Sequence, residues 1–336
     1  MKSQLETEEL DERFEEMSML FDNELESWFN SNTFYCEDCI EEFIKTWPGL
    51  YNRDLDFQRS TIMLESFYEG SLLRDAFTKE EFLYLVKQMQ CPHCREPISW
   101  IFCPYELKFE VPSRFEIDAE EIAALANRTP FLLLSHPFAK SVYNEIHRIS
   151  KNVPLSVLPS PMFRSRKAKS THVFTNSDFM APNPNVIPEG RYNHAGQQVY
   201  YLGEDPLTCF YEARMPEEGI MLGRIDVHEP LKILDLMDED LEENGIIQSI
   251  QWSSLLSSPA EGEGWHKPHY VFTRFVADVA RSAGFDAIRY PSVRFNEGYN
   301  YVLLNYEKVK NRVEVLDYCY ISKEELLAEL KKKRGY

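Results

Sequence analysis

No run of about 18 apolar residues occurs anywhere in the 336-residue chain, so the sequence offers no membrane-spanning helix. The densest apolar patch, Phe131-Leu132-Leu133-Leu134, is short and flanked by Pro130 and Pro137. Positive charge is also scarce. The 36 Lys and Arg stand against 55 Asp and Glu, a formal net charge of −19, which argues against a general affinity for nucleic acid. A small anionic ligand stays open, because two or three local arginines reverse the sign inside a pocket. The first residues, Met1 to Glu6, have no apolar stretch and turn acidic at once, so no signal peptide is expected and a cytoplasmic, membrane-free protein follows. Cysteine is sparse and odd in number, seven in all, which speaks against a disulfide framework and for metal ligands or plain thiols.

What is present is ample for folding. Hydrophobic residues make up 43% and aromatics 13%, enough to bury two cores. Residues 1–30 carry Leu10, Phe14, Met17, Phe21, Leu25 and Trp28/Phe29 at three- and four-residue steps, the pattern of an acidic amphipathic helix packed on its neighbours. Two Cys-x-x-Cys pairs follow, Cys36/Cys39 and Cys91/Cys94. Thiolates at i and i+3 both reach one tetrahedral ion, and four of them close a structural zinc site. The expected helical insertion between them covers Leu55–Tyr68 and Lys79–Met89, with a helix over Ile40–Trp47 stopped by Pro48-Gly49. Short strands are expected over Ile98–Phe102 and Leu107–Val111, and helices over Ile117–Ala126 and Ser141–Ser150. Arg128 and His136, set apart by Pro130, read as surface or packing residues rather than a helical ribonuclease pair.

The texture changes at Asn152, where Val153-Pro154-Leu155 and Leu158-Pro159-Ser160-Pro161 mark a boundary. The division expected is 1–30, an acidic helix; 31–152, a helical domain with the cysteine pairs; 153–320, a catalytic domain; and 321–336, a C-terminal helix. Strands are expected over Met162–Arg166, Gln198–Leu202, Ile220–Val227, Leu231–Leu236, Ala287–Tyr290 and Tyr301–Asn305, with a Ser/Pro/Gly loop over 257–268. Asp205-Pro206 suits the start of a helix that carries Glu212, and Gly284 the end of a helix over Val271–Ala283.

The second half sets Arg191 in a Gly-Arg-Tyr-Asn turn, Tyr201 ten residues on, Glu212 eleven further, and Ser292 in a late Tyr-x-Ser loop. A guanidinium can hold two phosphate oxygens, an aromatic face can carry a flat ring, and a fixed carboxylate can stabilise positive charge. Taken in order, Phe163-Arg164-Ser165-Arg166, Gly190-Arg191-Tyr192-Asn193, Val199-Tyr200-Tyr201-Leu202, Thr208-Cys209-Phe210-Tyr211-Glu212 and Tyr290-Pro291-Ser292 resemble the RES family, named for its Arg, Glu and Ser. The N-terminal half is similar, more loosely, to a zinc-knuckle and helical region that precedes the domain in one branch. Cys209 departs from the small residue usual in the helix motif.

The resemblance implies an α+β fold, an ADP-ribosyltransferase-like domain preceded by a mainly helical, zinc-stapled one. It also implies consumption of NAD, by hydrolysis or phosphorolysis, often as the toxin of a toxin–antitoxin pair, with an antitoxin or regulatory protein as a possible partner. Glu212 would stabilise the ribosyl charge, Arg191 with help from Arg164 would bind the pyrophosphate, Tyr201 would stack on nicotinamide or ribose, and Ser292 would hydrogen-bond the ribose or the amide. Two other functions remain open at this point: protein ADP-ribosylation, and a zinc-stapled protein that binds a nucleotide without turnover.

Overall fold

The structure, a computed structural model, describes residues 2–55, 57–168, 171–237, 245–257 and 270–333, with the backbone alone over 2–9. The chain divides into two compact units, Met1–Lys108 and Phe109–Tyr336. No helix of the described residues is long and apolar enough to cross a membrane.

In the first unit the order is α1 (Lys2–Phe29), β1 (Phe34–Cys36), α2 (Glu37–Thr46), α3 (Pro48–Arg53), β2 (Ile62–Met63), α4 (Leu64–Gly70), α5 (Leu73–Ala76), α6 (Lys79–Leu85) and β3 (Ile101–Pro104). The periodicity of α1 places Met17, Phe21 and Leu25 wholly out of solvent, against Phe67 and Phe102. Three strands in the order β1-β3-β2 form a small antiparallel sheet. Several local expectations change here. Helix α2 does end ahead of Pro48, at Thr46, but Pro48 then opens α3 from its first position, where a missing N–H costs nothing. The insertion is helical only from Leu64, and Leu107–Val111 forms no strand.

The second unit runs α7 (Phe115–Arg128), α8 (Pro137–Ile149), β4 (Leu155–Ser156), β5 (Met162–Lys167), α9 (Asn176–Phe179), β6 (Tyr200–Gly203), α10 (Pro206–Glu212), β7 (Ile220–Val227) and β8 (Leu231–Asp235). It continues with α11 (Gly245–Trp252), α12 (Ser254–Ser257), α13 (Val271–Ser282), β9 (Ala287–Pro291), β10 (Tyr299–Leu303), α14 (Tyr306–Val309), β11 (Val313–Ile321) and α15 (Lys323–Lys333). Helices α7 and α8, which the sequence reading groups with residues 31–152, pack in this unit against α11, α12 and α13. The loop expected over 257–268 lies, apart from Ser257, outside the described residues, as do the last three residues of the segment 321–336.

Eight strands form one sheet in the order β11-β7-β5-β6-β10-β9-β8-β4, antiparallel except for the parallel pair β8/β9. Alternation sorts its side chains. Tyr200, Leu202, Ile225 and Leu303 enter a core on one face, while Ile220 and Leu222 meet Leu207 and Phe210 of α10 and Leu326 of α15 on the other. Strand β11 has no counterpart among the expected strands. Its alternation of Val313, Val315 and exposed acids is interrupted by a bulge between Val315 and Asp317, which spoils the two-residue period.

Strands β5 and β6 touch at a single pair, Phe163 opposite Gly203, and part beyond it. Helix α10 presses on β6 at this point. A side chain at Gly203 would bring its Cβ within 2.7 Å of Cys209 Sγ, so the approach requires glycine. Asp205 caps α10 as expected, accepting from the Thr208 N–H at 2.9 Å and the Thr208 hydroxyl at 2.7 Å. Two stability changes follow. Asp205→Ala should cost about 1 kcal/mol for the lost cap, and Gly203→Ala about 1–3 kcal/mol for overpacking, both read as shifts of the denaturant midpoint.

Candidate active site

The parting of β5 and β6 opens a cleft of about 360 Å3 whose walls include Arg164, Arg191, Tyr201, Glu212, Tyr290 and Asn300. Glu212 is the last residue of α10. The chain leaves it through Arg214 and Met215, both in the left-handed region at φ 66° and 47°, which ends the helix abruptly and points the carboxylate into the open. A carboxylate at a helix C-terminus faces the unfavourable end of the peptide dipoles, so it needs donors from elsewhere. It finds two. Glu212 Oε1 accepts from the Ser292 hydroxyl at 2.7 Å and from Asn300 Nδ2 at 3.0 Å. Among the described residues Oε2 takes no hydrogen bond, which leaves it for the cleft.

Ser292 sits in the turn between β9 and β10 and is 1% exposed. Its oxygen accepts from the N–H groups of Arg294 at 3.2 Å and Phe295 at 3.1 Å, while its proton goes to Glu212. The hydroxyl is thereby committed to the carboxylate and to its own turn, where the sequence reading gave it to the ligand. Asn300 is the residue that reading missed. It is 5% exposed on a central strand, opposite Tyr290 and Gly203, and its side chain aligns Glu212. The available signal was compositional: asparagine is disfavoured in strands, and Tyr299-Asn300-Tyr301-Val302-Leu303 is otherwise aromatic and aliphatic.

The Gly190–Asn193 turn is tied to Tyr201. The Tyr201 hydroxyl accepts from the Tyr192 N–H and donates to Asn193 Oδ1, each at 2.9 Å, while its ring lines the cleft. Burial pushes this phenol well above its ordinary range, so it stays protonated and keeps both bonds. The Asn193 amide in turn donates to the carbonyls of Pro188 and His194. Thr273 of α13 donates to the Arg191 carbonyl, and Arg191 Nη1 donates to the Leu256 carbonyl of α12 at 2.6 Å. The guanidinium also lies 5.1 Å from the Tyr270 ring. Burial disfavours its charge, but Tyr192, Tyr270, Tyr290 and Glu212 outweigh that effect and hold the group above its ordinary value. Arg191 and Glu212 thus line one cleft.

Arg164 stands apart from this set. It belongs to the sheet face of Tyr200, 4.5 Å from that ring, and Nη1 donates to the Tyr201 carbonyl at 2.8 Å, in the gap where β5 and β6 have separated. Burial lowers it from its ordinary value, and neighbouring Arg166 adds to the effect. Arg166 is engaged by the carbonyls of Asp178, Ser165 and Met180. Cys209, the departure noted in the helix motif, lines the cleft as a thiol pushed up to about 12 by burial, which makes it a poor nucleophile.

Residues 161–321 match the family model of the RES domain. This segment is a RES domain. Arg191 and Glu212 both line the cleft at the split in the sheet, and Ser292 reaches it through its hydrogen bond to Glu212. A solved structure, the M. tuberculosis MbcT–MbcA toxin–antitoxin complex, aligns with a TM-score of 0.36 and 13% identity over 56% of this chain and 96% of that one. Comparison with curated proteins finds no match.

The first unit holds a second constellation. The Sγ atoms of Cys36, Cys39, Cys91 and Cys94 all lie within 4.8 Å of one another, and Cys36 and Cys94 are 3.7 Å apart. Four sulfurs about 2.3 Å from one tetrahedral ion would stand about 3.8 Å apart, so the cluster fits a metal ion such as zinc. Cys36 ends β1, Cys39 lies in the first turn of α2, and the Cys91–Cys94 knuckle folds back through Arg95, whose φ is 67°. Burial works against the Cys91 thiolate, but N–H groups of Cys94, Cys36 and His93 more than offset it and bring the thiol down to about 7.

A second group, Asp118, Glu121 and His136, is held differently. His136 Nδ1 accepts from the Phe138 N–H as the cap of α8, and Nε2 faces Glu121 at 2.9 Å. With Nδ1 accepting, the neutral ring carries its proton on Nε2 and has no lone pair left for an ion.

Removing the serine hydroxyl tests the clamp. Ser292→Ala strands two turn N–H groups and one bond to Glu212, and should destabilise the second unit by about 1–3 kcal/mol. Asn300→Ala should cost less, about 0.5–1.5 kcal/mol, by urea denaturation.

Proposed function

We propose that the cleft cleaves the nicotinamide–ribose bond of NAD, by hydrolysis or phosphorolysis, with Glu212 as the catalytic carboxylate. The observation that carries this reading is the Glu212 side chain, held on one oxygen by Ser292 and Asn300 and open on the other, beside Arg191 in the same cleft. When the bond breaks, its electron pair leaves with the nicotinamide nitrogen, which becomes neutral, and positive charge develops on the ribose. Glu212 Oε2 faces that charge and stabilises it more in the transition state than in the ground state. A water or phosphate oxygen forms the new bond to the anomeric carbon, and water gives up its proton to solvent. Arg191, anchored by Leu256 and Thr273, supplies a fixed cation for the pyrophosphate. Tyr201 offers its ring to the nicotinamide or ribose while its hydroxyl holds the arginine turn.

In this reading Ser292 is a positioning residue, since its proton is spent on Glu212. Arg164 acts through the strand gap, replacing a ladder hydrogen bond at Tyr201 and keeping the cleft open at its floor. NAD depletion is the effect on a cell, and an antitoxin or other regulatory protein is the partner such an activity calls for. The cysteine cluster is a structural zinc site of the first unit, closed by four protein ligands and so without a catalytic position.

The test is NAD loss with purified full-length protein, products identified by mass. Wild type should release nicotinamide with ADP-ribose, or with a phosphorylated ADP-ribose when phosphate is present. Glu212→Gln should reduce kcat at least about 100-fold, on the scale of a lost transition-state electrostatic contact. Equal turnover by both proteins would overturn the assignment. For the metal, one zinc per chain is expected by elemental analysis, and Cys91→Ser should abolish its retention.

A further inference from the structure

We infer that Arg294 is a phosphate-binding residue of the cleft, and that its turn passes phosphate binding on to Glu212. The inference rests on the reading of the cleft as an NAD-cleaving site and names how that site selects a dinucleotide. Four guanidinium groups line the cleft, from Arg164, Arg166, Arg191 and Arg294, and Glu212 is the one carboxylate among its described lining residues. In a chain of net charge −19 this is a local reversal of sign. Three of the four are engaged by protein carbonyls: Arg164 by Tyr201, Arg166 by Asp178, and Arg191 by Leu256. The Arg294 guanidinium has no hydrogen bond or ion pair with any described residue, although it is only half-exposed. A half-covered cation left unsatisfied at the edge of a ligand cleft is placed for an anion that arrives with the ligand.

Its backbone makes the second half of the argument. The Arg294 N–H donates to Ser292 Oγ at 3.2 Å, and the Ser292 hydroxyl donates to Glu212 Oε1 at 2.7 Å. Two consecutive hydrogen bonds thus join the arginine's own peptide to the catalytic carboxylate. A phosphate gripped by the Arg294 side chain restrains the same turn that aims Glu212. Binding energy from the non-reacting end of the substrate is then realised at the reacting centre. A nicotinamide riboside, which lacks phosphate, meets the same Glu212 without this restraint.

Two measurements on the full chain test this, using Arg294→Ala and Arg294→Lys. Calorimetric titration with inorganic pyrophosphate should show binding to wild type that weakens at least about tenfold in Arg294→Ala, the scale of one charge-assisted hydrogen bond, with Arg294→Lys in between. Cleavage kinetics should show kcat/KM for NAD falling at least about tenfold in Arg294→Ala, with that for nicotinamide riboside unchanged within about twofold. Equal losses on both substrates would make Arg294 merely structural and sink the proposal, as would pyrophosphate affinity unchanged from wild type. Wild-type protein that binds pyrophosphate through Arg294 yet cleaves no NAD would leave the anion site standing and remove the NAD-cleaving reading. NAD cleavage undiminished in Arg294→Ala would do the reverse.

Discussion

Strands β5 and β6 pair in register at Phe163 and Gly203 alone, and the cleft opens where they part. A closed ladder at this point would fill the space with backbone. The separation instead leaves the Tyr201 carbonyl without a strand partner, and an unpaired buried carbonyl is costly. Arg164 supplies the missing donor from the opposite face of the sheet. The same opening lets α10 come down onto Gly203, which sets the end of that short helix, and Glu212 with it, at the mouth of the gap. The residues around the cleft are thus separated in sequence but ordered by one defect in an otherwise regular sheet.

The cleft solves an electrostatic problem in two ways. Glu212 ends a helix where the peptide dipoles oppose its charge, and neutral donors from two other elements compensate. Arg191 sits in a turn laced by Tyr201 and Asn193, with its guanidinium drawn toward Leu256. Both charges are fixed before any ligand arrives. The chain as a whole is strongly acidic, so the arginines that line this one cleft reverse the sign locally, which the average composition conceals.

The first unit shows how differently a cysteine cluster and the cleft residues are written. Cys36, Cys39, Cys91 and Cys94 were legible because thiolates at i and i+3 have one common geometric use, and the structure gathers their sulfurs to within 4.8 Å. The acidic helix α1 was legible from its period alone, and Met17, Phe21 and Leu25 are its buried stripe. The strands around the knuckles were less so. Two short pairings, β1 with β3 and β3 with β2, depend on partners distant in sequence and leave little local pattern.

In the second unit, local chemistry sufficed for the Asp205 cap, for the helix ended by Gly284 at φ 85°, and for most of the strands, because capping and alternation are written within a few residues. The sequence by itself also set Arg191, Glu212 and Ser292 in segments with their own turn and helix signals. Their hydrogen-bond partners were decided only by the tertiary structure. Whether Ser292 serves a ligand or Glu212 depends on where its proton points, and that is fixed by residues eighty positions apart. Asn300 acquires its part only when β10 pairs with β6 and β9, which brings its amide to the end of α10. Hydrogen bonds between side chains act over about 3 Å in space with no period along the chain, so no local reading reaches them.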